Sequence, residues 1–292
     1  MATIQFSSEL EQAIEEMPTI SPIVNKLGEM AQSIHTAPTE IVKIIMIDPV
    51  LAAKVIKLVN SAFYGLTQQV RSLPQAVLLL GVNTVKNMAM ATAVLDRVLL
   101  KSKRIPLRPD IFWQHCLATA VTCKLLAKSR EVPENEREMY FLAGLLHDVG
   151  KVVYMKAMPD EYRLALEESR RLGISLHFAE LAHFGCAHTH VGGLLARKWQ
   201  LDPLLLEVIE NHHSTDPAEP RNNLVKYVIV ANNLCKQSGL GEGGNLVVEE
   251  GWSGLMEQLR VSRHGVQPIM EQLPGELKKA ADFLKVTKGG GG

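Results

Sequence analysis

Aromatic residues make up only 5% of this 292-residue chain, and neither sign of charge prevails: 31 lysines and arginines meet 31 aspartates and glutamates. A nucleic-acid binder usually displays a basic stripe. The nearest run here, Lys101 to Arg108, is short and broken by Pro106, and reads as a connector. No stretch approaches the roughly 18 unbroken apolar residues of a membrane span; the most apolar, Ala76 to Val82, is far too short. The N-terminus lacks a basic n-region and an apolar h-region, so no secretory signal is expected. The expectation is a cytoplasmic protein with neither nucleic-acid nor membrane partners. Cysteine is scarce: Cys116, Cys123, Cys186 and Cys235 are scattered with no CxxC pair. That speaks against a disulfide framework or a thiolate zinc site and for small buried thiols. Asn-Gly and Asp-Gly turns are absent and β-branched runs are few, which removes the usual hairpin signals.

What remains is helical spacing. Hydrophobic residues at 47% and charged residues at 21% are ordinary for a globular protein, and the length suits one large domain or two modest ones. The apolar period predicts helices over Glu9–Glu16, Pro22–Ala31, Thr39–Ile47, Pro49–Ser61, Leu73–Leu80 and Asn83–Leu99. Asp48 before Pro49 has the chemistry of a helix start, since its carboxylate accepts from free amides and proline suits the first turn. Beyond the connector the pattern predicts Ile111–Ser129 capped by Asp110, then Met139–Leu146, Pro159–Leu172, Ser175–Leu181, Thr189–Trp199, Pro203–His213 and Asn223–Gln237. Ser238 to Asn245, SGLGEGGN, has turn chemistry. The last fifty residues carry further helical patterns split by Pro268 and Pro274, ahead of a Gly289–Gly292 tail. The expected fold is all-α: a multi-helix bundle with an N-terminal lobe (1–104) packed on a five-helix lobe (105–240), followed by an extension (241–292).

Histidines gather between Phe112 and His213. In Gly144-Leu-Leu-His147-Asp148-Val-Gly150-Lys151 an apolar helix delivers an imidazole and a carboxylate side by side. A glycine follows, read as letting the backbone turn, and then a lysine able to reach back. Imidazole nitrogen with carboxylate oxygen suits a first-row divalent metal. Two neighbours cannot close such a site, so the remaining donors must come from other helices: His115, His188, His212 and His213 are the candidates, enough for one ion or for a bridged pair. His177, His183 and His190 are read as ordinary packing or surface histidines, and Trp199 as an anchor between the lobes. Met17, Met30, Met46, Met88 and Met90 fall in helices and are read as core filling.

The order His115, His147-Asp148, His188, His212-His213 resembles the HD superfamily of metal-dependent phosphohydrolases, in particular the fuller ligand set of its HD-GYP branch. In the N-terminal half, Met17-Pro18, Asp48-Pro49, Asn60-Ser61-Ala62-Phe63-Tyr64, Ser72-Leu73 and Leu80-Gly81 are similar to the HDOD, or HD-related output, domain. The resemblance covers about residues 10–240. It implies a signalling or regulatory output module that acts through a protein partner or a small phosphorylated ligand. It also implies a site for iron, manganese, zinc, cobalt or nickel, one ion or two.

The alternative it implies is a phosphohydrolase. There a bound cation would lower the pKa of water and polarise a phosphoryl oxygen, with Asp148 as ligand and proton acceptor and Lys151 steadying phosphate. Two departures weigh on that activity. Where HD enzymes carry a last metal-binding aspartate this chain has Asn232, a neutral and weaker ligand, and the Gly-Tyr-Pro element is absent after His213. A catalyst would need another carboxylate, for which Asp110 and Asp216 are the candidates.

Overall fold

The computed structural model describes residues 2–19, 23, 26–27, 30, 37–98, 106–216, 218–219, 222–244 and 247–288, and these contain no strand. Residues 1–104, expected from the sequence as a first lobe, hold α1 (Ala2–Glu16), α2 (Pro38–Met46), α3 (Pro49–Val59), α4 (Leu73–Leu80) and α5 (Val82–Val98). Residues 105–240, expected as a second, hold α6 (Pro109–Ser129), α7 (Arg137–Leu146), α8 (Val149–Ala157), α9 (Pro159–Leu172), α10 (Leu176–Phe184), α11 (His188–Lys198), α12 (Pro203–Asn211) and α13 (Asn223–Gln237). Two helices follow, α14 (Trp252–Gln258) and α15 (Arg263–Lys288). The expected helix over Pro22–Ala31, most of the connector and the glycine tail lie outside the described residues.

Local chemistry explains most of the boundaries. Asp48 caps α3 by accepting from the amides of Val50 and Leu51, and Ser72 caps α4 by accepting from Gln75 N–H. Asn60, at the end of α3, pins the loop behind it: its side-chain amide donates to the Val70 carbonyl and accepts from Val70 N–H, both at 2.8 Å.

Four expectations need correction. Asp110 does not cap α6; it lies inside the first turn and pairs with Arg108 on the surface. Helix α8 was not anticipated because Val149 through Met155 are buried all round, which leaves no amphipathic period to read. Met46 is 60% exposed and fills no core. Pro268 and Pro274 do not split the C-terminal segment, since both sit inside α15. Val266, Ile269, Leu273, Ala280 and Phe283 are buried along that helix. Burying such side chains yields roughly 1.5–3 kcal/mol for each large one, which offsets backbone bonds that prolines forfeit at about 3 kcal/mol apiece.

One hydrophobic cluster runs from Leu10 to Val286 through both lobes. Helix α5 packs on α7, and α15 lies against α6 as well as α3 and α5, so the C-terminal helix bridges the lobes. At the far end α1 packs on α8 and α11. There Lys198 donates to the carbonyls of Ile14 (2.7 Å) and Glu15 (2.5 Å), and Trp199 Nε1 donates to Pro18 O, so Trp199 does anchor the lobes. Where α7 meets α6 and the loop after α3, Glu138 is 3% exposed and accepts from Tyr64 Oη at 2.6 Å and Lys124 Nζ at 2.7 Å. All four cysteines are free thiols.

Candidate metal centre

Four helices aim donors at one carboxylate. Asp148 sits at the break between α7 and α8 and is 1% exposed. His188 opens α11 and His212 ends α12; their Nε2 atoms stand 3.2 Å and 3.4 Å from Asp148 Oδ1. His147 Nε2 and His115 Nε2, the latter from the middle of α6, stand 3.4 Å and 3.8 Å from Asp148 Oδ2. His213 Nε2 lies 3.2 Å from His188 Nε2. The donors thus form two groups that share Asp148: His188, His212 and His213 on one side, His115 and His147 on the other. All six residues predicted as metal ligands converge.

In four of the five rings the far side explains why Nε2 is the atom presented. His147 Nδ1 faces the Gly144 carbonyl at 2.8 Å, and His212 Nδ1 faces the carbonyls of Val208 and Ile209. A carbonyl only accepts, so in both rings the proton resides on Nδ1 and Nε2 carries a bare lone pair. His188 Nδ1 meets Glu180 Oε2 at 2.5 Å, and His213 Nδ1 meets Glu249 Oε1 at 2.9 Å. Metal-binding imidazoles are typically held from behind in this way.

Burial holds His115 down at about 4, and drives His147 and His213 well below the ordinary imidazole range and His212 below it. These rings are neutral, as ligands must be. Burial also acts against the charged form of His188, but the Glu180 and Asp148 carboxylates together outweigh it and the net shift is upward. Burial would raise the Asp148 carboxyl, yet the Lys151 ammonium and the hydrogen bond with His188 hold it well below the usual carboxylate range.

The donor set fits a divalent transition metal. His188 Nε2 stands 3.2 Å from both His212 Nε2 and His213 Nε2, a spacing that calls for a proton or a cation among the three. His115 Nε2, His147 Nε2 and Asp148 Oδ1 are buried with no hydrogen-bond partner. Imidazole nitrogens with a single carboxylate favour iron, manganese, zinc, cobalt or nickel over magnesium or calcium. Asn232, on α13, is 1% exposed and its Oδ1 is likewise buried without a partner. Asp110 and Asp216 supply nothing: the first is paired to Arg108 on the surface, the second is exposed in the turn after α12.

Lys151 donates to Asp148 Oδ2 and to the Gly243 carbonyl, both at 2.7 Å. The glycine-rich segment predicted as a turn is therefore a strap across the centre. A Cβ at Gly243 would stand 2.8 Å from His115 Cδ2 and 3.0 Å from Asp148 Oδ2, so only glycine passes this closely. Gly150 is not a turn residue. It lies within α8, pressed on α11 so tightly that a Cβ would fall 1.9 Å from the His188 carbonyl oxygen.

Three participants were missed. Glu180 is fully buried and accepts from Tyr162 Oη and His188 N–H as well as from the ring. Glu249 lies in the segment read as an extension. His177, read as a packing residue, stacks on His213 with ring centroids 4.8 Å apart. His183 pairs with Glu168 away from the centre, and His190 is exposed. No helix among the described residues is long and apolar enough to cross a membrane.

Comparison with known proteins identifies the fold and the family. An HDOD domain protein of unknown function from Geobacter sulfurreducens superposes with a TM-score of 0.76 at 25% identity, covering 98% of this chain and 97% of that one. A protein from Marinobacter aquaeolei VT8, provisionally named a signal transduction protein, gives a TM-score of 0.74 at 20% identity, over 99% of this chain and 67% of its own. An uncharacterized protein of Treponema pallidum (strain Nichols) is 24% identical over 231 residues, 79% of this chain; the chain spans 44% of that relative's length. The sequence profile of the HDOD domain matches residues 17–215, and the chain belongs to the HDOD domain family.

Proposed function

We propose that this protein is a signalling or regulatory output module, whose His–Asp centre binds a divalent transition metal as part of the fold rather than to turn over a substrate. Its output is contact with a protein partner or a small phosphorylated ligand in the cytoplasm. The observation that carries this reading is the closure of the centre. His147, His188 and His212 are fully buried, His115 and Asp148 are 1% exposed, and the strap residue Gly243 holds the lysine that a phosphate would need. A phosphodiester has no approach to Asp148 in this arrangement. The neutral amide of Asn232, where a hydrolase would carry a carboxylate, points the same way.

A phosphohydrolase reading draws on the same donors, because a metal held by His188, His212, His213 and Asp148 supplies a water of lowered pKa and polarises a phosphoryl oxygen. That reading requires the strap to leave and Lys151 to exchange the Gly243 carbonyl for phosphate. The test is elemental analysis of protein purified without chelator or metal-binding tag, together with His147→Ala and Asp148→Ala. Each metal-loaded sample is then assayed on bis(p-nitrophenyl) phosphate. The expected result is about one equivalent of metal in the wild type, its loss in Asp148→Ala, and no turnover by any sample. Turnover by the wild type that disappears in Asp148→Ala overturns the proposal in favour of the hydrolase.

A further inference from the structure

The region matched to the family ends at residue 215, yet the chemistry around Asp148 does not end there. Glu249 lies after the strap, with its side chain 9% exposed. Its Oε1 accepts from His213 Nδ1 at 2.9 Å and from Lys236 Nζ at 2.5 Å, and its backbone N–H donates to Asn233 Oδ1 at 2.9 Å. Its second oxygen, Oε2, is buried with no hydrogen-bond partner. So Asn233, the neighbour of Asn232 on α13, seats the residue that brings a carboxylate to the centre from outside the family segment.

Charge shows what that carboxylate accomplishes. Lys151 and Lys236 are both buried, at 4% and 6% exposure. Asp148 alone cannot balance them, and a divalent cation added to that set would meet net positive charge. Glu180 behind His188 and Glu249 behind His213 reverse the balance: three carboxylates against two ammonium groups leave one net negative charge for a cation to neutralise. The pairing also fixes the tautomer of His213, because a carboxylate accepts and so retains the proton on Nδ1.

We propose that Glu249 is a positioning residue of the metal centre, holding His213 as Glu180 holds His188, and that metal binding and docking of the strap are therefore one coupled equilibrium. This rests on the metal-binding reading above. Metal bound through His213 favours the seated strap, and the seated strap favours metal by the same factor, since coupling between two binding events is reciprocal. The strap leads directly into α14 and α15, the helix that bridges the lobes, so metal occupancy reaches the surface through the C-terminal segment.

The experiment uses the full chain, stripped of metal and titrated with Co²⁺ in competition with a chelator, with the cobalt absorption spectrum and amide hydrogen exchange of residues 241–249 as readouts. For Glu249→Gln the expected result is about 10–100-fold weaker Co²⁺ binding, a changed cobalt spectrum, and faster strap exchange in the loaded state. Glu249→Asp is expected to recover part of the affinity. In the wild type, Co²⁺ slows exchange of the strap. Asn233→Ala alters neither Glu180 nor Glu249 and removes only the oxygen that seats the Glu249 backbone; it is expected to weaken Co²⁺ binding in the same direction, and it carries the test if Glu249→Gln does not fold. Wild-type protein that takes up no Co²⁺ refutes the metal-binding reading itself. If wild type, Glu249→Gln and Asn233→Ala bind Co²⁺ equally with identical spectra, and strap exchange ignores the metal, Glu249 serves only to neutralise Lys236 and the proposal is overturned.

Discussion

Gly150→Ala tests how the fold positions the centre. Residue 150 is in α8, three residues from His147, and its backbone is pressed on the first turn of α11, which begins with His188. A Cβ at 150 would lie 1.9 Å from His188 O, 2.6 Å from Gly192 N and 2.9 Å from the His188 carbonyl carbon. All three are backbone atoms, so no rotamer change relieves the contact. To reach the 3.0 Å that real Cβ atoms keep, α11 must recede by about 1 Å, which moves His188 away from Asp148 and Glu180. Overpacking typically costs about 1–3 kcal/mol, and a contact between two rigid helices belongs at the upper end. At about 3 kcal/mol the midpoint of thermal unfolding falls by roughly 6–12 °C for a chain of this size.

The assay is a thermal melt of metal-free protein together with Co²⁺ affinity, expected to weaken at least about tenfold as for other losses of imidazole support. Gly193→Ala, the next residue in the glycine pair of α11, is the control. The atoms nearest its Cβ are all in the side chain of Glu210, which can yield by a rotamer change at the cost of its surface ion pair with Arg197, so the expected change is about 1 kcal/mol, smaller than for Gly150→Ala. A Gly150→Ala protein that melts with the wild type and binds metal equally would refute the claim that this crossing sets the His188 position.

Acidification should destabilise the metal-free protein. His115 titrates at about 4 when folded against 6.5 as a model group. Between those values the unfolded chain binds more protons, so stability is full above 6.5 and is lost as pH falls through 4, on the order of 3 kcal/mol from this residue. His147, His212 and His213 act in the same direction; His188, whose value is raised, acts oppositely and its contribution is lost as pH rises past its folded value. Urea midpoints that are flat between pH 4 and 7 would contradict this account. Lys151→Met frees Asp148 Oδ2, the oxygen facing His115 and His147, from its ammonium partner. Elemental analysis is expected to rise from about one ion to about two, because like charge no longer opposes the second; an unchanged single ion would show that Lys151 is not what excludes it. Glu138→Ala leaves Tyr64 Oη and Lys124 without their shared partner between the lobes, at an expected cost of about 2 kcal/mol in chemical denaturation. A change under about 0.5 kcal/mol would mean the pair is immaterial to lobe docking.

The donors that face Asp148 were legible in the sequence because each sits at a fixed place in a local pattern: at the start, middle or end of a helix whose apolar spacing is plain. The groups behind them were not. Glu180 looks like one more acid on a short helix, and its role exists only because the turn at Gly185 folds His188 back onto it. Glu249 follows a stretch of turn chemistry with no period at all. His177 is set aside by spacing, since stacking on His213 is a contact between α10 and the end of α12 that no sequence interval encodes. Helix α15 was misjudged for a related reason. The prolines are local and visible, whereas the two lobes that bury its apolar face are remote from it in sequence.

The end of α1 carries a consequence for the order in which the molecule assembles. The carbonyls of Ile14 and Glu15 are satisfied by Lys198, and Pro18 by Trp199, more than 180 residues away. A helix whose last turn lacks nearby partners for its carbonyls frays, and a segment of this length is marginal alone in water. A peptide covering residues 1–19 is therefore mostly coil. In the folded chain this turn is held only once α11 has formed, so the segment closes as a clasp on a surface that is already in place.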